Sequence, residues 1–429
     1  MNHVFPTAIR WAFRAYDQAW IPAQRGLRHH VKLREGFAQR IVQEPFRHSV
    51  DVWIQAASAG ESHLAAMLMA HLRREGNLQI LATTNTRQGM DILARAAARL
   101  KSDPGGGLQT RFFPFDRPSI MQQAVQSLKP RLMVLLETEL WPGLLFTLRQ
   151  TGIPVIMVNA RLQARSLRAY RLWPALWRML APQRILAISR TDAGRLARLF
   201  GRVPVETMPN MKFDRIARSI AATPAPPPDW TRHLPSTSPF VVLGSIRREE
   251  ESAVVKIIDH LQRRYPQTIV GLFPRHMHRV ATWCRHLQAS GRPYRRRSRI
   301  DGPIPGGTIV IGDIFGELTR TYAAATAVFV GGSLAPLGGH NFLEPLLSGI
   351  APVVGPHRQT FEWVGPELFR NHLVQAATDW RDAARRMAAQ YAQAADKSTI
   401  QRQAMAFFDR HRGGTAQACR AIRDLLNQA

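Results

Sequence analysis

Residues 331–346 read GGSLAPLGGHNFLEPL, two glycine pairs followed by a helix-forming segment that holds one acid, Glu344. That spacing suits an anion. Gly331, Gly332 and Gly339 permit close backbone approach, and a helix starting near His340 and Asn341 aims unpaired N–H groups and its positive dipole end at a phosphate. A carboxylate one turn further on reaches back to vicinal ribose hydroxyls, as an acid does in dinucleotide sites. By themselves the glycines serve tight turns equally well, with Glu344 a first-turn residue favoured by the dipole.

The elements that must carry this loop follow from hydrophobic periodicity. Short apolar runs recur at 52–58, 78–84, 131–137, 154–160 and 184–189, and again at 240–245, 268–274, 307–313, 327–333 and 351–356. Between them lie segments of helical period such as ESHLAAMLMAHLRREG, so the chain predicts βαβ units around parallel sheets in two doubly wound domains. The proline-rich stretch 222–239 reads as the linker between them. Ligands of open α/β sheets bind at the carboxyl ends of strands. Six polar loops fall at such ends: SAGES with Ser58, Gly60 and Glu61; ETELWP with Glu137 and Glu139; NARLQARS with Arg161; NMKFD with Lys212; PRHMHR with Arg275 and His276; and the glycine stretch itself. Six is more than packing needs.

The 429 residues fit two domains of about 200 residues each. With 58 Lys and Arg against 30 Asp and Glu, the formal charge is +28. This points to a polyanionic partner: nucleic acid, an anionic membrane face or phosphorylated substrates. Basic residues are spread over helices and no nucleic-acid signature occurs, so nucleic acid beyond a nucleotide is not expected. The two cysteines, Cys284 and Cys419, are far apart, and the 15 histidines include no HExxH, so neither a disulfide framework nor a metal site is indicated.

No run approaches the ~18 apolar residues that span a bilayer, and the first thirty residues lack a secretory core. Segment 1–35 instead predicts an amphipathic, membrane-associating helix. Ile9, Phe13, Tyr16 and Trp20 share one face, with Arg10, Arg14 and Asp17 on the other. The stretch 165–180 interleaves arginines with Tyr170, Trp173 and Trp177 in a second basic-aromatic patch. The arginine run 292–299 reads as a solvated face.

SAGES, TTNTRQG, ETELWP, NARLQARS, NMKFD, FPRH, IGDIFGEL and VFVGGSLAPLGGHNFLEP resemble, in order, the blocks of the 3-deoxy-D-manno-octulosonic acid (Kdo) transferases of bacterial lipid A assembly. The likeness runs from about residue 35 to 415. It implies a GT-B fold, two Rossmann-like domains facing across a cleft: an acceptor domain at 36–221 and a CMP-sugar domain at 240–429. It also implies inverting transfer of Kdo from CMP-Kdo to a lipid A precursor, without cofactor or active-site metal, at the cytoplasmic face of the bacterial inner membrane, attached peripherally or monotopically.

Carried over, Glu61 matches the proposed general base, which takes the acceptor proton as the hydroxyl attacks. Ser58, Gly60, Glu139 and Arg161 fall on the acceptor side. Lys212 and Arg275 match cations that neutralise the donor's carboxylate and phosphate. Ser245, His276, Gly316, Gly331, Gly332, Gly339, His340, Asn341 and Glu344 fall on the nucleotide side. One block departs: GSIRREEE (244–251) has Ile246, Arg247 and Arg248 where the family shows a Ser-Thr-His turn. The alternatives are a GT-B enzyme or epimerase for another nucleotide sugar, neither of which needs ETELWP, Lys212 or Arg275.

Overall fold

A computed structural model describes residues 5–30, 33–44, 46, 48–100, 107–221, 226–392 and 396–428. The chain forms two compact units, Met1–Ile216 with His411–Ala429, and Ala217–Arg410.

The first unit is built on strands β1 (Val52–Ala56), β2 (Ile80–Thr84), β3 (Leu108–Phe112), β4 (Leu132–Leu136), β5 (Val155–Ala160), β6 (Arg184–Ala187) and β7 (Val205–Thr207). Their order across the sheet is β3-β2-β1-β4-β5-β6-β7, and every pairing is parallel. The second unit holds β8 (Phe240–Ile246), β9 (Ile269–Pro274), β10 (Tyr294–Arg296), β11 (Ile309–Ile311), β12 (Ala327–Val330), β13 (Val353–Val354) and β14 (Gln375–Ala376). Here the order is β10-β11-β9-β8-β12-β13-β14, again all parallel.

A parallel sheet is covered on both faces by its crossover helices, so its central strands are apolar without alternation. β1, β2, β4 and β5 are buried at every position, as the continuous runs VWIQA and LMVLL require. Strand order reverses between β1 and β4 in one sheet and between β8 and β12 in the other. A crevice opens at each such switch point, at the carboxyl ends. The loops after β1 and β4 are SAGES and ETELWP; those after β8 and β12 are GSIRREEE and the glycine stretch.

Several expectations are corrected. The last helix, Gly414–Gln428, belongs to the first unit and not to 240–429. Its Cys419, Ile422 and Leu426 are buried in one cluster with Leu64, Leu68 and Leu72 of helix Ala59–Arg74. Asp214 holds its start by accepting from the N–H groups of Gly413 and Thr415, both at 2.6 Å. Of the expected linker, 222–225 lie outside the described residues. The remainder packs on the second unit, where Trp230 is buried edge-on to Phe240.

The arginine run is not a solvated face either. It contains edge strand β10, and Arg297 makes two 2.7 Å hydrogen bonds to Glu317 while Arg296 binds Asp313 at 3.0 Å. Ser298 donates to Asp313 through both its N–H and its hydroxyl. These contacts tie down both ends of the IGDIFGEL loop, leaving Phe315 at its tip 84% exposed.

The N-terminal helix, Thr7–Leu27, forms as the periodicity predicts, but its apolar face is covered by its own unit. Phe13 stacks on Phe146 at 3.9 Å and Trp20 on Phe115 at 5.7 Å. Asp17, assigned to the polar face, accepts from Arg117 at 3.0 Å and from the Ser119 N–H at 2.7 Å. Tyr16 donates to Asp116, whose burial raises its pKa to about 7. An amphipathic period fixes that one face is covered, not by what. In the second patch Trp177 is likewise buried, while Leu172 and Trp173 stand exposed.

Phe13→Ala should therefore destabilise the first unit by about 3–5 kcal/mol, the usual cost of truncating a buried phenylalanine. Trp11→Ala, at a side chain 61% exposed, should fall within about 0.5 kcal/mol of the parent. Denaturant unfolding followed by tryptophan fluorescence checks both.

Candidate active site

In the first unit the site starts with a helix cap. Ser58 leaves β1 extended and caps helix Ala59–Arg74, its hydroxyl oxygen accepting from the Glu61 N–H at 3.3 Å. Glu61 reaches back, accepting from the Ala57 N–H at 2.7 Å and the Ser58 hydroxyl at 2.9 Å. This variant of the capping box fixes the carboxylate at the switch point. Gly60 is the second residue of that helix, where a Cβ would meet only Ser58 Oγ, at 3.7 Å.

Beyond β4 the backbone turns left-handed at Glu137, and at the end of β5 it does so at Asn159. Glu137 accepts from Lys212 Nζ at 2.6 Å and lies 3.9 Å from the Arg161 guanidinium. Lys212, expected to meet the donor, is thus placed in the first unit as the partner of Glu137. Arg161 joins the same cluster. Glu139 accepts from the Trp141 indole at 2.7 Å.

Three carboxylates so close cannot all ionise freely. Burial, and then the charge of Glu137, raise the Glu61 pKa above the ordinary 4.5, against the lowering pull of the Ser58 and Ala57 bonds and of Lys212. Glu139 is pushed up to about 7, first by burial and then by Glu61. Glu137 carries the ion pairs, while Glu139 is the group poised to exchange protons near neutrality and Glu61 holds its proton more tightly than an ordinary carboxylate.

Sequence reasoning passed over Gln55, the one polar residue of β1. It is fully buried, accepts from Thr83 Oγ1 at 2.7 Å and helps hold Glu139. A lone glutamine inside an apolar strand was the available signal.

In the second unit the glycine stretch is filled from within. Glu250, 1% exposed, accepts from the N–H groups of Gly332, Ser333 at 2.8 Å and Leu334 at 2.7 Å. The Gly331 N–H donates to the Gly244 carbonyl and the next three are taken by a carboxylate of the chain, so the expectation that N–H groups of this glycine pair are left for a phosphate is corrected. The helix also starts later, at Leu343, and runs only to Leu347. Gly331 cannot carry a side chain, since a Cβ would stand 2.7 Å from the Ser245 carbonyl oxygen. Gly332 and Gly339 are both left-handed, and Gly339 N–H donates to the Gly332 carbonyl at 2.7 Å. Ser245 is left-handed too.

Glu344 is held on both oxygens, by Thr319 Oγ1 and Asn341 Nδ2, each at 2.8 Å. Asn341 also accepts from the Leu343 N–H at 3.2 Å. Thr319 follows the loop that contains Gly316, left-handed at φ 90°. This threonine was not legible beforehand.

The anion-binding potential of this unit lies in side chains. The His340 pKa is lowered to about 4, first by burial and then by the positive charges of Arg275, Arg247 and His276. Its Nε2 is buried without a hydrogen-bond partner among the described residues. Arg275 is set by its N–H donating to the Ile246 carbonyl at 2.8 Å, and His276 stacks on His278. Arg247, from the departing GSIRREEE segment, thus adds a cation beside Arg275. Among the described residues no group of three His, Cys, Asp or Glu side chains is placed to hold a metal.

Two parallel seven-stranded sheets, each with its polar residues at a switch point, are the architecture of GT-B glycosyltransferases. A glycosyltransferase from Rickettsia africae aligns with a TM-score of 0.56 at 9% identity, over 90% of this chain and 100% of its own. A putative UDP-N-acetylglucosamine 2-epimerase from Listeria monocytogenes aligns at 0.57 and 11%, over 89% and 98%, so fold alone does not separate transfer from epimerisation. Sequence does. Residues 29–215 match the family described as 3-Deoxy-D-manno-octulosonic-acid transferase (kdotransferase). The 3-deoxy-D-manno-octulosonic acid transferase of Bordetella pertussis is 31% identical over 91% of each chain. That of Haemophilus influenzae is 30% identical over 74% of this chain and 73% of its own. The chain belongs to the Kdo transferase family and is a glycosyltransferase.

With Glu61 as base, transfer should fall as pH drops through its raised pKa, above the ordinary carboxylate range. Glu137→Gln removes the neighbouring charge, so the acidic limb of the rate profile should move to lower pH. Glu61→Gln should lose roughly 10²–10⁴-fold in rate while still binding nucleotide. Steady-state rates across pH and nucleotide calorimetry measure both.

Proposed function

We propose that this enzyme transfers Kdo from CMP-Kdo to a hydroxyl of a lipid A precursor, with inversion and without a metal ion. The observation that carries the reading is the carboxylate of Glu61, fixed at the end of β1 with its proton affinity raised by burial and by Glu137. The acceptor hydroxyl gives its proton to Glu61 as its oxygen bonds to the anomeric carbon. The bond from that carbon to the CMP phosphate oxygen breaks on the opposite side, and CMP leaves with the electron pair. Glu139, its pKa pushed up to about 7, donates a hydrogen bond to the sugar acceptor in its protonated form.

On the donor side, Arg247 and Arg275 neutralise the phosphate and carboxylate, neutral His276 donates a hydrogen bond beside them, and Glu344 accepts from the ribose hydroxyls through the lone pairs that Thr319 and Asn341 leave open. Fixed cations in place of a divalent ion support metal independence.

The membrane reading keeps Trp173 of the second patch but loses Phe13, Tyr16 and Trp20 of the N-terminal helix, which pack on their own unit. Exposed Trp11, Leu172 and Trp173 of the first unit enter the interface of an anionic cytoplasmic leaflet, with the surrounding arginines on its headgroups. No described helix is long and apolar enough to cross a membrane.

Purified enzyme given a tetraacylated lipid A precursor should transfer from CMP-Kdo and not from UDP-sugars, with chelator leaving the rate unchanged. Mass spectrometry of the product decides. Activity abolished by chelator and restored by a metal would reject the metal-free mechanism. Glu344→Ala should weaken CMP binding by about 1–3 kcal/mol in calorimetry, the worth of hydrogen bonds to a charged group.

A further inference from the structure

Helices Glu251–Arg264 and Trp380–Ala392 of the second unit pack side by side through Ile257, Ile258 and Leu261 on one and Ala383, Ala384 and Met387 on the other. Their outer edges enclose a furrow of about 990 Å³. Its walls are basic. Lys256, Arg263 and Arg264 come from the first helix and Arg381 and Arg385 from the second. Spacings of seven and eight residues put the first three on one face across two turns, about 11 Å. Trp380 lies between two of the cations, with the Arg381 guanidinium 4.5 Å and the Lys256 ammonium 5.6 Å from its ring centre. Ala388 and Ala389 keep the furrow open.

The acids nearby are already committed. Asp259, itself a wall residue, pairs with Arg292, and Asp382 is shared by Arg385 and Arg386. Among the described residues no carboxylate lies within ion-pair distance of Lys256, Arg263, Arg264 or Arg381. Like charges this close repel and destabilise the helices that carry them. A concave site lined by uncompensated cations relieves that repulsion when it takes up an anion of matching charge density.

We infer that this furrow binds a soluble ligand carrying a run of adjoining phosphate groups, an oligophosphate, at a site separate from the residues that serve sugar transfer. The volume is at the upper end for small-molecule sites. The wall length of two helical turns suits a short chain of phosphates and not a long polymer. A planar bilayer does not reach into a furrow, and the aromatics here, Trp380 and Tyr265, are half-buried instead of projecting to insert.

The probe is inorganic triphosphate, titrated by calorimetry into the full chain. Saturable binding with one site per chain is expected, with orthophosphate at least tenfold weaker and CMP not displacing the triphosphate. Lys256→Ala with Arg381→Ala should weaken triphosphate binding tenfold or more and leave CMP affinity and transfer unchanged. Arg275→Ala should do the reverse, so failure of the transferase reading and failure of this one are distinguishable. A second pair, Arg263→Ala with Arg264→Ala, gives the same readout if the first does not fold, with circular dichroism monitoring both.

Triphosphate binding that is absent, displaced by CMP or unaltered in both double variants overturns the proposal. So does a loss of binding to phosphatidylglycerol vesicles, or to a single-stranded oligonucleotide, in variants that bind triphosphate like the parent. Those outcomes assign the furrow to a membrane or to nucleic acid.

Discussion

The buried carboxylate of Glu250 is the constraint on which the glycine stretch of the second unit depends. Removing an ionised carboxyl from water is costly unless several donors meet it, and charge-assisted bonds from backbone N–H groups are the strong kind. Gly332, Ser333 and Leu334 supply them. Their N–H groups can converge only because Gly332 is left-handed and Gly331 lacks a side chain to strike the Ser245 carbonyl. The chain then closes on itself, with Gly339 and His340 donating to the carbonyls of Gly332 and Gly331. From that knot emerge His340, Asn341 and Glu344. The acid that looks most functional in the sequence, Glu344, is presented by a loop that another acid holds in shape.

The switch point of the first sheet uses carboxylates differently. Glu61, Glu137 and Glu139 are gathered at the ends of β1 and β4, where only Glu137 has strong cationic partners. Burial and then the charge of Glu137 make Glu61 a stronger base than a solvated glutamate, and Lys212, paired with Glu137, works against them. The geometry comes from ordinary local devices, a helix cap at Ser58 and a left-handed turn at Glu137. Function here is a by-product of how a strand hands over to a helix.

Much of this was legible because parallel strands announce themselves. Continuous apolar runs marked β1, β2, β4, β5, β6, β8, β9, β11, β12 and β13, and the polar residues after them marked both switch points. Edge strands β3, β10 and β14 lacked that signal, since half-exposed strands of two to five residues carry no long run; β10 was hidden inside an arginine cluster. Side-chain partnerships were less legible still. Nothing in the local pattern says that Arg297 answers Glu317, that Lys212 answers Glu137, or that Glu250 enters the glycine loop, because each pair is distant in sequence and specified only by the fold. The N-terminal helix shows the same limit, with a correct period and the wrong partner for its apolar face.

The return of helix Gly414–Gln428 to the first unit bears on how the molecule is made. The second unit is inserted in sequence within the first, so a ribosome finishes 217–410 before the segment that covers Leu64, Leu68 and Leu72 has been synthesised. Until then one face of the nascent first unit stays greasy and open to chaperones or to self-association. The second unit, by contrast, is continuous and is free to fold as soon as it clears the exit tunnel. Residues 411–429 thus act as the latch that completes the unit begun first.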